Sequence, residues 1–254
     1  MTKLYSVDAI IIRARDYGEA DKILTLYTKE HGKVQAIAKG VRKPASRLRG
    51  GVQLFSHSRI LLYRGRTLDT ATQAETKEAY AGLRDDFLRF AYASYFLELV
   101  DSAVLEREPN EGLFILILIS LGLLMGNDPE IIARLFEIRF LHQLGLRPFL
   151  RACLDCGRPV KNGIFYVVPA LGGLICADCQ GEKTGNTWIS AGAAQTMNKL
   201  LSIDPRRIFQ LKISPTMRKE IESAMEKNLE YHLEKTTKAK VVLNTMFKKL
   251  KGEE

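Results

Sequence analysis

Two C-x-x-C pairs, Cys153-Leu-Asp-Cys156 and Cys176-Ala-Asp-Cys179, stand 19 residues apart and contain all four cysteines of the chain. This is the ligand spacing of a four-thiolate zinc site, because the two-residue gap within each pair lets both sulfurs reach one tetrahedral ion. Gly157 directly after Cys156 relieves crowding where backbone N–H groups turn toward the thiolates. Ile164 to Val168, then Gly172-Gly173, then Leu174 to Cys176, read as a hairpin that returns the second pair to the first. A redox pair and buried free thiols are the competing readings. Four thiolates leave no open coordination position, so the expected Zn2+ is structural and the four cysteines are its ligands.

Upstream of this module the pattern changes twice. Val7 to Arg13, Lys22 to Thr28, Lys33 to Lys39, Leu54 to Tyr63 and Leu68 to Glu75 are rich in β-branched, aliphatic and Thr residues and predict five strands. In the third, Val34, Ala36 and Ala38 alternate with Lys33, Gln35 and Lys39, and Ile37 breaks the rule. His31-Gly32 predicts a tight turn between strands two and three. Lys39 to Gly51, with Gly40, Pro44, Gly50 and Gly51 among basic residues, reads as a mobile connection. Five short antiparallel strands fit a small closed barrel, and from pattern alone the OB type and the SH3-like type fit equally.

From about Glu78 the period becomes helical. Phe87, Phe90, Ala91, Ser94, Leu97 and Val100 predict one buried stripe, and Pro109 the start of a hydrophobic helix through Leu113 to Met125. That run is too short to span a bilayer, which takes about 20 residues, so it predicts a buried core helix. Asp128 is expected as an N-cap with Pro129 first in the next helix, whose face carries Ile131, Leu135, Ile138 and His142 and which Gly145 ends. Ser190 and Ser214-Pro215 open two later helices, the second covering Met217 to Glu234, and Lys248 to Glu254 reads as a frayed end. The predicted class is α+β: a five-stranded barrel over 1–80, a helical domain over 81–150 and 188–254, and an inserted four-cysteine zinc module over 151–187.

Charge narrows the function. The chain carries a formal +9, and ten basic residues between Lys29 and Arg66, opposed only by Glu30, account for all of it. Such a balance favours polyanion partners, and the concentration of the charge points to this segment as the contact surface. Tyr27, Phe55 and Tyr63 are the aromatics on which unpaired bases would stack, with a core role the competing expectation. No leader-like segment opens the sequence, which predicts a cytoplasmic location. Neither a Walker-type nor a dinucleotide glycine loop is present. Asp8, Asp16, Glu19 and Asp21 read as a solvated strand end rather than a nuclease metal site, and the four histidines share no obvious partner. The expectation is a binding protein and not an enzyme. A zinc-ribbon RNA-binding or transcription-associated factor is the alternative.

Longer motifs carry a resemblance. Ala38-Lys-Gly-Val-Arg-Lys-Pro-Ala-Ser-Arg-Leu-Arg-Gly-Gly-Val-Gln-Leu-Phe55, followed by a strand and Thr72-Gln-Ala-Glu75, closely resembles the N-terminal signature of the bacterial RecO recombination and repair family. Phe136-Glu137 with Leu141, Leu144-Gly145 and Pro148, leading into Cys153-x-x-Cys156-Gly157, resembles that family's junction between helical domain and zinc module. The resemblance implies an OB fold and a mediator role in the RecF pathway, associated with the nucleoid. Such proteins bind single- and double-stranded DNA, anneal complementary strands, associate with RecR and help load RecA onto DNA coated with single-strand binding protein. By matching motif, Lys39, Arg42, Lys43, Arg47 and Arg49 would be DNA contacts, and Arg64 joins them from the basic segment. Family members also capture the acidic tail of single-strand binding protein on the helical domain, where Arg134 and Arg139 beside Leu135 and Ile138 are the candidates.

Overall fold

In a computed structural model the protein is described over residues 3–181, 187–233 and 243. The helix expected over 217–234 is therefore covered only through Leu233, and the end expected to fray, 248–254, lies outside the described residues. Two compact units divide after Met125.

The first unit is built on a closed barrel in the order β1-β2-β3-β5-β4, with β1 (Leu4–Tyr17), β2 (Asp21–Thr28), β3 (Gly32–Ala38), β4 (His57–Tyr63) and β5 (Asp69–Glu78). All pairings are antiparallel except β3 with β5, where Ala36 faces Asp69 and Ile37 faces Thr70. That single parallel contact closes the sheet in the OB order and settles the choice left open by strand pattern. Inside lie Val7, Ala9, Ile11, Leu24, Leu26, Val34, Ala36, Ala38, Ile60, Leu62 and Ala71, one side of each strand's alternation. The β2–β3 connection is Lys29–His31, longer than the two-residue turn expected at His31-Gly32. Gly32 has φ +61°, and a Cβ there would meet the Glu108 carbonyl oxygen at 2.1 Å, so only glycine fits.

Helices α1 (Gly82–Asp85), α2 (Phe87–Ala103) and α3 (Glu111–Leu124) belong to the barrel unit rather than to a separate bundle with the C-terminal helices. The reason lies on the outer face of β2. Ile23, Thr25 and Tyr27, which point away from the barrel interior, are buried as well. The Tyr27 hydroxyl donates to the Asn110 carbonyl, and burial pushes its pKa up to about 12. Lys33 donates to the Asp101 carbonyl at 2.7 Å, and Phe55 packs edge-on against Phe90. The helix details also differ from the pattern. Asn110, not Pro109, caps α3 by accepting from the Leu113 N–H at 2.9 Å. Phe87, placed on the buried stripe, is 65% exposed, because α2 buries Tyr92, Ala93, Tyr95, Phe96 and Leu99 as well and has no single apolar face.

Asp69 ties β5 to this assembly with a side chain only 1% exposed. It accepts from the Tyr5 hydroxyl, from the Gly65 N–H at 3.0 Å and from Arg107 at 3.1 Å. Burial alone would raise its pKa, but these donors outweigh burial and hold it below the ordinary carboxylate value. A depressed carboxylate contributes stability above its unfolded pKa of about 3.9 and loses it as pH falls through the folded value. Asp69→Asn is therefore expected to be less stable by about 1.5–3 kcal/mol at neutral pH. The gap from wild type should close as pH drops below about 4. Urea titrations at pH 7 and pH 3 check both limbs.

The second unit contains α4 (Pro129–Gln143), α5 (Ala191–Ser202), α6 (Pro215–Leu233) and a sheet in the order β6-β8-β7-β9, with β6 (Phe149–Cys153), β7 (Ile164–Val168), β8 (Gly173–Cys176) and β9 (Trp188–Ser190). The caps follow the sequence: Asp128 accepts from the Glu130 N–H, Ser190 from the Ala193 N–H and Ser214 from the Met217 N–H. Gly145 and Leu146 close α4 by donating back to the His142 and Leu141 carbonyls. Leu135 and Ile138 of the predicted face are buried, but so is all of Ile132 through Ile138, whereas His142 is exposed and Ile131 half-buried.

Candidate metal centre and nucleic-acid interface

The four cysteines converge through β6 and β8. These strands are parallel neighbours, Cys153 ends one and Cys176 ends the other, so the turn after each strand emerges at the same end of the sheet. The expected β7–β8 hairpin is present, with Phe165 facing Cys176 and Val168 facing Gly173, but the parallel β6–β8 pairing is what joins the two C-x-x-C turns. The ligand sulfurs lie within 4.8 Å of one another. Cys156 and Cys176 Sγ are 3.7 Å apart, which matches the edge of roughly 3.8 Å that a tetrahedron with metal–sulfur bonds of about 2.3 Å requires.

The surroundings of Cys153 suit a thiolate, whereas hydrogen bonding to Cys156 and Cys176 pushes the Cys179 thiol up. The Cys176 N–H points at Cys153 Sγ at 3.3 Å. Burial opposes ionisation of Cys153, yet donors from Cys176, Cys156 and Asp155 outweigh it and bring its pKa down to about 6. Gly157, φ +73°, donates to the Cys153 carbonyl at 3.1 Å and closes the first turn. Arg158 and Asp178, one from each turn, form an exposed ion pair across the cluster that spacing did not announce. The four residues can hold one metal ion.

The second candidate site is the connection from β3 to β4. Lys39, Arg42, Lys43, Arg47 and Arg49 are all exposed along it. It is not the loose segment expected from its glycines. Consecutive turns run through it, with N–H groups of Lys43, Ser46, Arg49, Gly51 and Ser56 donating to the carbonyls of Gly40, Lys43, Ser46, Leu48 and Gln53. Val41 and Val52 are 2% exposed and pack into the barrel core, with Leu48 against it. The hydrophobic residues pin the connection inward, so its cations face water.

Its first turn also meets the β1–β2 hairpin. The Arg42 N–H donates to the Ala20 carbonyl, the Gly40 N–H to Asp21, and the Arg42 guanidinium pairs with Asp16 at 3.4 Å. A cleft of about 260 Å³ lies there, lined by Lys22, Arg42, Arg49 and Gln53 over Val41 and Val52, with Asp16 its one acid. Tyr17, exposed at the end of β1, is an aromatic that strand periodicity did not single out. Of those it did, Tyr27 and Phe55 are fully buried and only Tyr63 reaches solvent. Phe55 sits at φ +74° and donates its N–H to the Ile11 carbonyl, where β1 is bulged.

The basic segment is thus divided. Lys29 pairs with Glu111, Lys33 with Asp101 and Arg59 with Asp8, so their charges are met within the unit. Asp8 accepts from Lys77 as well, which spends one of the four clustered acids as a structural partner. Arg64 lies over the Tyr5 ring, 5.0 Å from its centroid, in the β4–β5 loop. Because β5 starts beside Ala36 and runs parallel to β3, that loop falls toward the Gly32 end, away from Lys39 to Arg49.

Arg134 and Arg139 turn inward. Arg134 is 5% exposed and pairs with Glu137 at 3.1 Å and Glu222 at 3.9 Å. Arg139 donates to the Leu200 and Ile203 carbonyls that end α5, and burial lowers its pKa. Arg134→Ala takes away the cation beside the buried Glu137 carboxylate and is expected to cost about 3–5 kcal/mol, read as a drop in urea midpoint.

A closed OB-type barrel with a cationic β3–β4 connection, in one chain with a helical unit that carries a four-cysteine cluster able to hold a metal ion, defines the class of protein. Residues 1–80 match the family model described as recombination protein O N terminal, and residues 84–240 the one described as recombination protein O C terminal. The chain is 42% identical over 247 residues to a DNA repair protein RecO of Symbiobacterium thermophilum, covering 96% of this chain and 98% of that one. It is 43% identical over 242 residues to one of Pelotomaculum thermopropionicum, covering 95% and 94%. The chain belongs to the RecO family of DNA repair proteins. Among the described residues no helix is long and apolar enough to cross a membrane.

Proposed function

We propose that the protein is a non-enzymatic mediator of recombinational repair that binds single- and double-stranded DNA, anneals complementary strands and, with a RecR partner, helps load RecA onto DNA coated with single-strand binding protein. The observation that carries this reading is the cluster Lys39, Arg42, Lys43, Arg47 and Arg49, exposed on a connection whose apolar residues are locked into the barrel. A rigid array of cations neutralises consecutive phosphates with little ordering cost on binding. Arg64 contributes from the β4–β5 loop, outside that cluster. One Zn2+ on Cys153, Cys156, Cys176 and Cys179 holds the sheet of the second unit and takes no part in chemistry. The protein works in the cytoplasm at the nucleoid, and annealing needs no turnover of a cofactor. The acidic tail of single-strand binding protein docks on the second unit, away from the inward-turned Arg134 and Arg139.

Five neutralised phosphates on a single strand predict a slope of log affinity against log salt near roughly −3.5. Anisotropy titrations of a labelled oligonucleotide between low and moderate salt measure it. A slope near zero would remove the electrostatic basis of the proposal.

A further inference from the structure

The second unit carries its own cationic surface, formed where α4, β6 and α5 meet. After α4 ends at Gly145 the chain runs extended into β6, an edge strand. Along it Arg147, Phe149 and Arg151 are exposed, while Pro148 and Leu150 between them are buried. The three exposed side chains share the solvent side of this segment, although the pairing of β6 with β8 is irregular between Phe149 and Cys153. Two adjoining clefts share Arg147 and Arg151. One, of about 360 Å³, adds His142, Asn198 and Lys199, and the other, of about 350 Å³, adds Phe149. Among the described residues no carboxylate lines either. Among the described residues Arg147, Arg151 and Lys199 have no ion-pair partner, whereas Arg134, Arg158 and Arg218 of the same unit are each paired.

The end of α5 reaches this surface through Leu201 and Ser202, and a bare helix C-terminus would repel an anion. Here several of its carbonyls already have donors. Arg139 donates to those of Leu200 and Ile203, and the Ser202 hydroxyl to those of Asn198 and Lys199. Arg139 also brings a positive charge to that end, which offsets part of the repulsion. Asn198 donates from its side-chain amide to the Leu150 carbonyl at 3.1 Å, which fixes α5 against the strand. A cation just before β6, then an aromatic and a cation within it, all exposed on one segment, is a pattern that binds a single strand, charges on phosphates and ring on a base.

We propose that Arg147, Phe149, Arg151 and Lys199 form a second single-stranded nucleic-acid site, independent of the barrel connection, so that one chain holds two strands. This rests on the nucleic-acid reading above and extends it, since a protein that anneals must keep two strands at once. An acidic peptide offers charge without a row of stackable rings, and the exposed Phe149 between two arginines favours the strand.

The test is a stoichiometric fluorescence titration of the full, zinc-replete chain with an oligothymidine of about ten nucleotides, within the usual range for one such site. Wild type is expected to bind two oligonucleotides, and R147E/R151E and R42E/K43E one each. Loss of two phosphate contacts should weaken the second site about tenfold at moderate salt even in R147A/R151A. R147K/R151K should retain it, and unchanged zinc content in every variant shows that the fold is intact. One oligonucleotide on wild type, or two on R147E/R151E, would overturn the proposal. So would loss in R147E/R151E of binding to a labelled Asp/Glu-rich peptide with oligonucleotide binding unchanged, which would make the surface a peptide site. If instead R42E/K43E still binds two while R147E/R151E binds one, the barrel reading fails and the second site stands.

Discussion

Replacing Cys153 and Cys176 together by serine should strip the metal from the protein and melt the sheet formed by β6 to β9. Wild type purified without chelator should carry about one zinc per chain by elemental analysis, set by the four sulfurs within 4.8 Å of one another. Zinc contributes about 10–16 kcal/mol to small modules of this kind, more than the total stability of many domains. β6 to β9 are only three to five residues each, too little sheet to stand without the metal. The expected result is loss of zinc, protease sensitivity between 150 and 190, and a barrel unit that keeps its DNA binding. The last outcome separates a structural metal from one that contacts DNA. Zinc-free wild type with a fully ordered sheet would refute the four-thiolate site.

In an R147E/R151E background, Arg42→Glu/Lys43→Glu should weaken single-strand binding on the order of a hundredfold at moderate salt, by removing two phosphate contacts and adding repulsion. Both side chains are exposed and neither belongs to the apolar core, so the melting temperature should hold to within a few degrees. The structure adds an opposite-signed companion. Asp16 lies 3.4 Å from the Arg42 guanidinium and is the one acid in the cleft, so Asp16→Asn should strengthen binding a few-fold. Anisotropy with the same oligonucleotide reads both. Unchanged affinity in the charge-reversed protein would sink the assignment of the connection as the DNA contact.

Much of this was legible from residue order. The barrel strands were bounded to within a few residues because a half-buried strand writes its alternation directly into the chain, as Val34, Ala36 and Ala38 do. Asp128, Ser190 and Gly145 marked helix ends because the orphaned backbone groups there select side chains of particular chemistry. The stripes expected for α2 and α4 hold at Ala91, Leu97, Val100, Leu135 and Ile138 but miss at their ends, for the converse reason. A helix buried on all sides carries no polar face to set its phase, so Phe87 and His142 were placed inside when both are exposed. Charge counting found the basic segment but not its division. Whether Lys33 serves DNA or Asp101 depends on a helix 68 residues away.

Sequence by itself determined the four-cysteine cluster, the barrel strands and where the positive charge is concentrated, since cysteine spacing, alternation and net charge are local or additive properties. Only the tertiary structure decided how these are used. The parallel β6–β8 contact brings the cysteine turns to one end of a sheet, Val41 and Val52 anchor the cationic connection, and α2 and α3 neutralise the lysines that face them. Those outcomes depend on which distant surfaces meet, and burial and charge pairing are set by that meeting.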